Sequence, residues 1–363
     1  MQRRDFNRTL LGLSMAAAVP GLGPAQTLHT VGEENRFSGS ITDVPGIQVG
    51  NYTLKQRPTG CTVLLCGKGA VAGVDVRGSA PGTRETDLLN PINAVQQVQA
   101  ILLSGGSAYG LDAATGVVRY LEEHNLGFPI GSLGVVPIVS AAILMDLGVG
   151  DFKIRPNAEA GYQACLAASS NPVAQGNVGA GAGATVGKMF GPKFAMKSGL
   201  GSASIKIGNT GIVVGAIVAV NAVGDVYEPD TGKIIAGARN ENGHGFRNSM
   251  DAILGGYAVV PMHGANTTIG AVATNATLNK TQMTKVAQMA HDGFARTINP
   301  VHTMFDGDTI FALSTGTSDV KADTSAIGAI AAMVMEQAVL RAITYAASLP
   351  ELGLPAYRDY AHG

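Results

Sequence analysis

The sequence predicts a layered α+β domain. Strand-like runs occur in both halves of the chain, mostly separated by short turns and without regular βα alternation, while the helical segments cluster separately. No linker or composition change divides residues 38–363, so one domain is expected across them. At 363 residues the chain can bury a large core. Charged residues are 14%, against about 25% in typical soluble domains, and the 49 glycines are about twice the usual share. That composition describes a tightly packed body with much buried surface, subunit contacts included. The formal net charge of −1 comes with no basic block, so no nucleic-acid partner is expected.

In chain order, residues 1–25 read as a processing segment. Arg3 and Arg4 precede Phe6, an apolar run follows over 10–20, and Gly23-Pro24-Ala25 offers a small-residue cleavage site. The run is too short to span a bilayer, and the paired arginines resemble a twin-arginine signal, which implies a periplasmic protein without a membrane anchor. Residues 26–37 read as a flexible leader. Residues 41–50 suggest a turn and a short strand, and 61–66 with 70–76 a strand pair broken at Gly67-Lys68-Gly69. The polar loop over 77–87 is of the kind that carries function. A strand at 98–103 runs into Ser104-Gly105-Gly106-Ser107, whose glycines let backbone N–H groups approach another chain or a substrate closely, with Gly106 and Ser107 as candidate pocket residues, and a helix continues through Glu122.

Residues 136–147 are ambiguous between helix and strand, and 158–169 are helical. The glycine-rich stretch 176–188 fails the P-loop pattern twice, at Ala182 and Met189, and lacks the strand and acidic residue of a dinucleotide site. It reads instead as a close-packed corner presenting Lys188. Strands follow at 203–207 and 212–220, with Asn221 ending the longest β-branched run. A polar linker is expected over 232–256, a strand at 269–273, a helix over 280–298, a strand at 309–315 and a long apolar helix over 326–346. Cys61, Cys66 and Cys165 lack metal-ligand spacing, and an odd number leaves no complete disulfide framework, so buried thiols are expected and no metal.

The chain is organised around His263-Gly264-Ala265-Asn266-Thr267-Thr268-Ile269. A polar corner there feeds a buried strand, with Thr267 at the junction. A threonine hydroxyl is a weak nucleophile until a base takes its proton, and a residue freed as a chain terminus can use its own α-amine. An unperturbed α-amine has a pKa of about 7.7–8.0. Cutting Asn266–Thr267 would create that amine. The local sequence alone favours an Asx turn opening a strand, and it is the rest of the chain that reverses this.

Six stretches together carry a resemblance: residues 43–50, 73–86, 103–112, 179–188, 266–275 and Asp306-Gly307-Asp308-Thr309. In this order they resemble the L-aminopeptidase/D-amidase/D-esterase family of peptidases, which also holds β-aminopeptidases and nylon-oligomer hydrolases. The resemblance implies an αββα sandwich of the DmpA kind, similar to N-terminal-nucleophile hydrolases. It also implies self-cleavage into chains 26–266 and 267–363, which stay together and assemble as a homo-oligomer of αβ units. Thr267 matches the family nucleophile, and Asn221 the asparagine that helps to form the oxyanion hole. Asp306 and Asp308 match the pair that contacts the nucleophile, and Lys188 a lysine that assists processing at Asn266. Met145 stands where relatives often carry an aromatic, and a thioether there fills the pocket without donating a hydrogen bond.

The reading is therefore a cofactor-independent amide hydrolase acting on small peptides or amides and releasing L-, D- or β-aminoacyl groups. An amidase of ω-amino-acid oligomers is the alternative within the class. An acyltransferase related to ornithine acetyltransferase is disfavoured, because the Lys-Gly-rich segment before that enzyme's nucleophile is replaced here by His263-Gly264-Ala265-Asn266. An exported, catalytically dead binding protein is disfavoured by the intact nucleophile, amide and acid positions.

Overall fold

A computed structural model describes residues 37–257 and 266–360. The twin-arginine segment, the leader and residues 263–265 of the polar corner lie outside the described residues. The main sheet contains nine strands: β1 (Gln48–Thr53), β2 (Gly60–Val76), β3 (Thr83–Arg84), β4 (Gln97–Ser104), β5 (Val139–Ile143), β6 (Leu200–Lys206), β7 (Val213–Ala219), β8 (Ile269–Thr274) and β9 (Thr309–Ser314). Their order is β6-β7-β8-β9-β2-β4-β5-β3, with β1 also pairing with β2. Only β8–β9 and β4–β5 are parallel among these neighbours.

Residues 60–76 form one long strand, not the expected strand pair. Its first half lies between β1 and β4, its second half pairs with β9, and the register with β4 shifts between Leu65 and Ala70. Gly67, at φ 52°, lies within that shift, where a left-handed residue is needed. The glycine and lysine at 67–69 therefore mark a bulge and not a chain reversal.

Alternation along each strand explains the high apolar content. In β8, Ile269, Ala271 and Ala273 enter an inner core with Leu64, Ile101, Leu103, Ile217 and Phe311. Val272 enters a second core with Met283, Phe294, Val334 and Met335, from helices α3 (Lys280–Thr297) and α4 (Thr324–Thr344). In the other half, Val63, Leu102 and Ala141 face Val117, Leu121 and Ala164 of α1 (Ala113–Glu123) and α2 (Ala158–Leu166). Two β layers thus share the inner core, and a helix pair covers each outer face. With both faces covered, the strands cannot alternate apolar with polar, and within residues 136–147 the stretch Val139–Ile143 resolves as strand β5. At about 25 cal/mol per Å² of apolar surface, these three cores are the main stabilising term.

Glycine serves close approach. A Cβ on Gly116 would lie 1.7 Å from the carbonyl oxygen of Ala158, and one on Gly161 1.9 Å from that of Ala113, so α1 and α2 pack backbone to backbone. The expected linker over 232–256 is structured instead, with strand Lys233–Ala236 and helix Ser249–Leu254. Buried Asp225 holds both ends by accepting from the N–H groups of Ala238 and Ser249 at 2.9 and 2.8 Å. The three cysteines are buried and free, and burial pushes the Cys66 and Cys165 thiols up to about 12.

Candidate active site

The β8–β9 register builds the site. Ile269 pairs with Thr309, and the bridge between Asn266 and Asp306 keeps the same offset upstream of both strands. Asn266-Thr267-Thr268 therefore lies alongside Asp306-Gly307-Asp308. The Gly307 N–H donates to the Asn266 carbonyl oxygen at 3.0 Å, and the Thr309 N–H to that of Thr268 at 3.2 Å. Asp308 Oδ1 accepts from the Thr268 N–H at 2.7 Å. Thr267 is 1% exposed, and its Oγ1 donates to the carbonyl oxygen of Asn266, the group on the other side of its own peptide bond.

The 77–87 loop clamps this corner. The N–H groups of Arg77 and Gly78 reach the Asp308 carbonyl oxygen at 2.9 and 3.2 Å, and that of Ala80 reaches Asp306 at 2.8 Å. Asp306 Oδ2 accepts from the Thr303 N–H at 2.8 Å and from its hydroxyl at 2.6 Å. Burial first, and then the Asp308 charge, push the Asp306 carboxyl up to about 6.

Asn221 lies two residues beyond β7 and is fully buried. Its carbonyl oxygen accepts from the Thr267 N–H at 2.9 Å and from Lys188 Nζ at 3.1 Å. Its side-chain Oδ1 takes Lys188 Nζ at 2.8 Å and the Thr185 N–H at 3.1 Å. Nδ2 donates to the Met145 carbonyl oxygen at 3.1 Å, which fixes the orientation of the amide. Lys188 is partly accessible from a cavity, yet so deep that burial pulls its amine down to about 7 against the opposing charges of Asp306, Asp146 and Asp308. As expected, the glycine-rich corner presents this lysine, with Gly187 at φ 72°.

A cavity of about 330 Å³ is lined by Met145, Val149, Val223, Leu352 and Leu354, with Lys188, Phe305 and Asn266 at the chemical end. Its carboxylate, Asp146, is committed elsewhere. Oδ1 accepts from Arg57 at 2.7 Å and from the Gly106 N–H at 2.9 Å, and Oδ2 from the Thr59 hydroxyl at 2.6 Å. The structure therefore brings together Thr267, Asn266, Asn221, Lys188, Asp306 and Asp308, with Met145 on the cavity wall. Gly106 and Ser107 do not line the cavity. They brace the strand behind it, Gly106 through Asp146 and Ser107 through the Leu144 carbonyl oxygen at 3.0 Å.

Sequence reasoning missed the Arg57–Asp146 pair, which is fully buried, and His302, whose ring meets Asp308. The available signal for the first was a charged residue inside an otherwise apolar run. Among the described residues no group of three or more His, Cys, Asp or Glu could hold a metal ion.

Comparison with known proteins gives the class first: this is a hydrolase of peptide or amide bonds on an N-terminal-nucleophile-hydrolase fold, an αββα sandwich as the sequence implied. The chain belongs to peptidase family S58, which it matches over residues 39–353. It is 45% identical over 349 residues to an uncharacterized aminopeptidase of Mycobacterium leprae (strain TN), covering 88% of this chain and 93% of that one. It is 32% identical over 317 residues to a 6-aminohexanoate-oligomer endohydrolase of Kocuria sp. (strain KY2), covering 83% and 84%. The L-aminopeptidase D-Ala-esterase/amidase of Ochrobactrum anthropi shares the fold, with a TM-score of 0.66 over 89% of this chain and 92% of that one at 19% identity.

Proposed function

We propose that the chain cuts itself between Asn266 and Thr267 and then uses Thr267 as an N-terminal nucleophile against small amides and peptides. The observation that carries this reading is the shared register, which sets the Asn266 carbonyl between the Thr267 hydroxyl and the Gly307 N–H. In the first stage Thr267 Oγ1 attacks the Asn266 carbonyl carbon, and Lys188, whose amine is partly neutral near pH 7, takes the hydroxyl proton. The Gly307 N–H stabilises the oxyanion. The C–N bond breaks, the Thr267 nitrogen gains the proton, and water hydrolyses the resulting ester.

Cutting leaves the new α-amine against the Asn221 carbonyl oxygen and frees residue 266 to withdraw, opening Thr267 to the cavity. In turnover the amine takes the Oγ1 proton and delivers it to the leaving amine. The Asn221 amide contributes an oxyanion donor, a contact worth about 2.7–4 kcal/mol in such sites. Water then releases the acyl group.

The aminopeptidase reading gives the cavity an aminoacyl group. The amidase reading for ω-amino-acid oligomers is favoured by one observation: the cavity wall is aliphatic and its carboxylate is already engaged. Exposed Ile92, Leu133, Leu254 and Met304, each at least 72% accessible, support assembly of cut units into an oligomer. We further read residues 1–25 as the export signal.

Intact-mass analysis tests the scheme. Two fragments are expected, the second beginning at Thr267, and Thr267→Ala should stay whole. A Thr267→Ala chain that still splits there would overturn it. A panel of L-, D- and β-aminoacyl amides alongside 6-aminohexanoate oligomers separates the two substrate readings, and acyl release to added amines in place of water would favour the transferase.

A further inference from the structure

His302 lies outside every motif above. Its ring Nδ1 sits 2.9 Å from Asp308 Oδ2, and its backbone N–H donates to the same oxygen at 3.1 Å. Its φ is +57°, in the left-handed region that non-glycine residues seldom occupy. Two donors of one strained residue thus converge on one carboxylate oxygen, while the other oxygen holds the Thr268 N–H at 2.7 Å. Such strain persists only where the surroundings enforce it.

The tautomer follows from the surroundings. Asp308 Oδ2 is an acceptor, so Nδ1 carries the hydrogen. His302 Nε2 is buried and has no hydrogen-bond partner among the described residues. A proton there would leave an unsatisfied donor beside the His291 ring, 4.8 Å away between centroids. His291 itself is held neutral, since burial pulls it down to about 3. Its Nε2 faces the Asp75 carbonyl oxygen at 3.1 Å and the Asp75 carboxylate at 3.5 Å. The groups around His302 are therefore Asp308 from the loop and the His291 and Phe294 rings from α3, with Asp75 and the Arg77 charge beyond His291.

We propose that His302 is a positioning residue for the chemistry at Thr267: its Nδ1–H locks the Asp308 carboxylate so that Oδ1 holds the Thr268 N–H and fixes the nucleophile against the bond to be cut. The ring also packs against His291 and Phe294, but only its bond to the Asp308 carboxylate needs a nitrogen donor. The inference rests on the self-cleavage reading, and self-cleavage is the probe because it needs no added substrate.

The experiment follows the first-order cutting rate of freshly made full chain against pH in wild type, His302→Asn and His302→Phe. Asparagine Nδ2 can replace the Nδ1 donor, whereas phenylalanine keeps only the ring. His302→Phe should cut about 10- to 100-fold more slowly, the range of one lost hydrogen bond to a charged group. His302→Asn should stay within about threefold of wild type. A wild-type rate in His302→Phe, or equal impairment in both variants, would overturn the proposal. A solution measurement on wild type needs neither variant to be active: nitrogen-15 histidine spectra, assigned by the signal missing in His302→Asn, should show the ring protonated at Nδ1. Protonation at Nε2 alone would refute it. A wild-type chain that never cuts would instead remove the self-cleavage reading, leaving the tautomer to decide the role of His302.

Discussion

The Gly307 N–H donates to the carbonyl oxygen of Asn266 at 3.0 Å, across the same ladder that pairs the two strands downstream. A strand register has thereby placed a hydrogen-bond donor on the group whose oxygen would gain charge in self-cleavage. Glycine is required at that point. An added Cβ would lie 2.6 Å from the Ala80 carbonyl oxygen and 2.9 Å from Thr267 Oγ1. Gly307→Ala should lower stability by about 1–3 kcal/mol, the usual cost of forcing a methyl into a packed site, and slow cutting by at least about 10²-fold. Melting curves and intact-mass time courses check both; wild-type cutting in a folded Gly307→Ala chain would show that the close approach of residue 307 to Thr267 Oγ1 is not needed for cutting.

Lys188 makes a pH prediction. Its amine is pulled down to about 7 by burial, and only the neutral form accepts a proton. The cutting rate should therefore rise as pH climbs through about 7 and then level off. Lys188→Arg keeps a charge near Asn221 but cannot deprotonate, so it should cut about 10²-fold more slowly, the scale of general-base catalysis. A rate–pH profile of the two chains is the measurement, and an arginine variant as fast as wild type would show that charge alone suffices.

Asp306 makes the opposite prediction, on stability. Its carboxyl is raised from 3.8 to about 6 by burial and by Asp308, so the folded state holds the proton more tightly than the unfolded chain. The associated stabilisation is present below the unfolded value and is lost as pH rises through about 6. Asp306→Asn removes that titration. It should melt with wild type near pH 4 and be more stable above pH 7, by about 1–3 kcal/mol. Thermal melts of the Thr267→Ala chain with and without Asp306→Asn avoid the complication of cutting.

Arg57 and Asp146 form an ion pair with no exposed side-chain surface. The guanidinium also donates to the carbonyl oxygens of Val149 and Ile154 at 2.6 and 2.7 Å, so it fixes the whole cavity-wall segment. Arg57→Met leaves Asp146 as an uncompensated buried charge and should cost about 3–5 kcal/mol. The double variant with Asp146→Leu should recover part of that loss. Chemical denaturation of the four chains of this cycle gives the coupling directly.

Much of the site was legible because its residues stand at element ends, where polar side chains interrupt apolar runs. Asn221 closes β7, Thr267 opens β8 and the two aspartates open β9. The glycine-rich stretch was legible by exclusion, since it broke two phosphate-binding patterns and left Lys188 as its one charge. Three features were not legible. The bulge at 67–69 looks like a turn because both place glycine at positive φ, and only the pairing partners tell them apart. The structure of 232–256 depends on one distant buried carboxylate, Asp225, which no local pattern reveals. His302 acts through a residue six positions on in sequence, and a lone histidine carries no periodicity. Gly106 and Ser107 illustrate the converse, since a glycine-rich loop at a strand end served packing and not the cavity.

The position of β8 and β9 has a last consequence. Each is hydrogen-bonded to the other, and their outer neighbours, β7 and β2, belong to the segment before Thr267. A severed molecule would carry the two strands of its smaller piece in the middle of the sheet, gripped by a ladder on either side. The nick would thus be chemically decisive and mechanically silent: one covalent bond fewer, a new terminus in the interior, and the same shape outside.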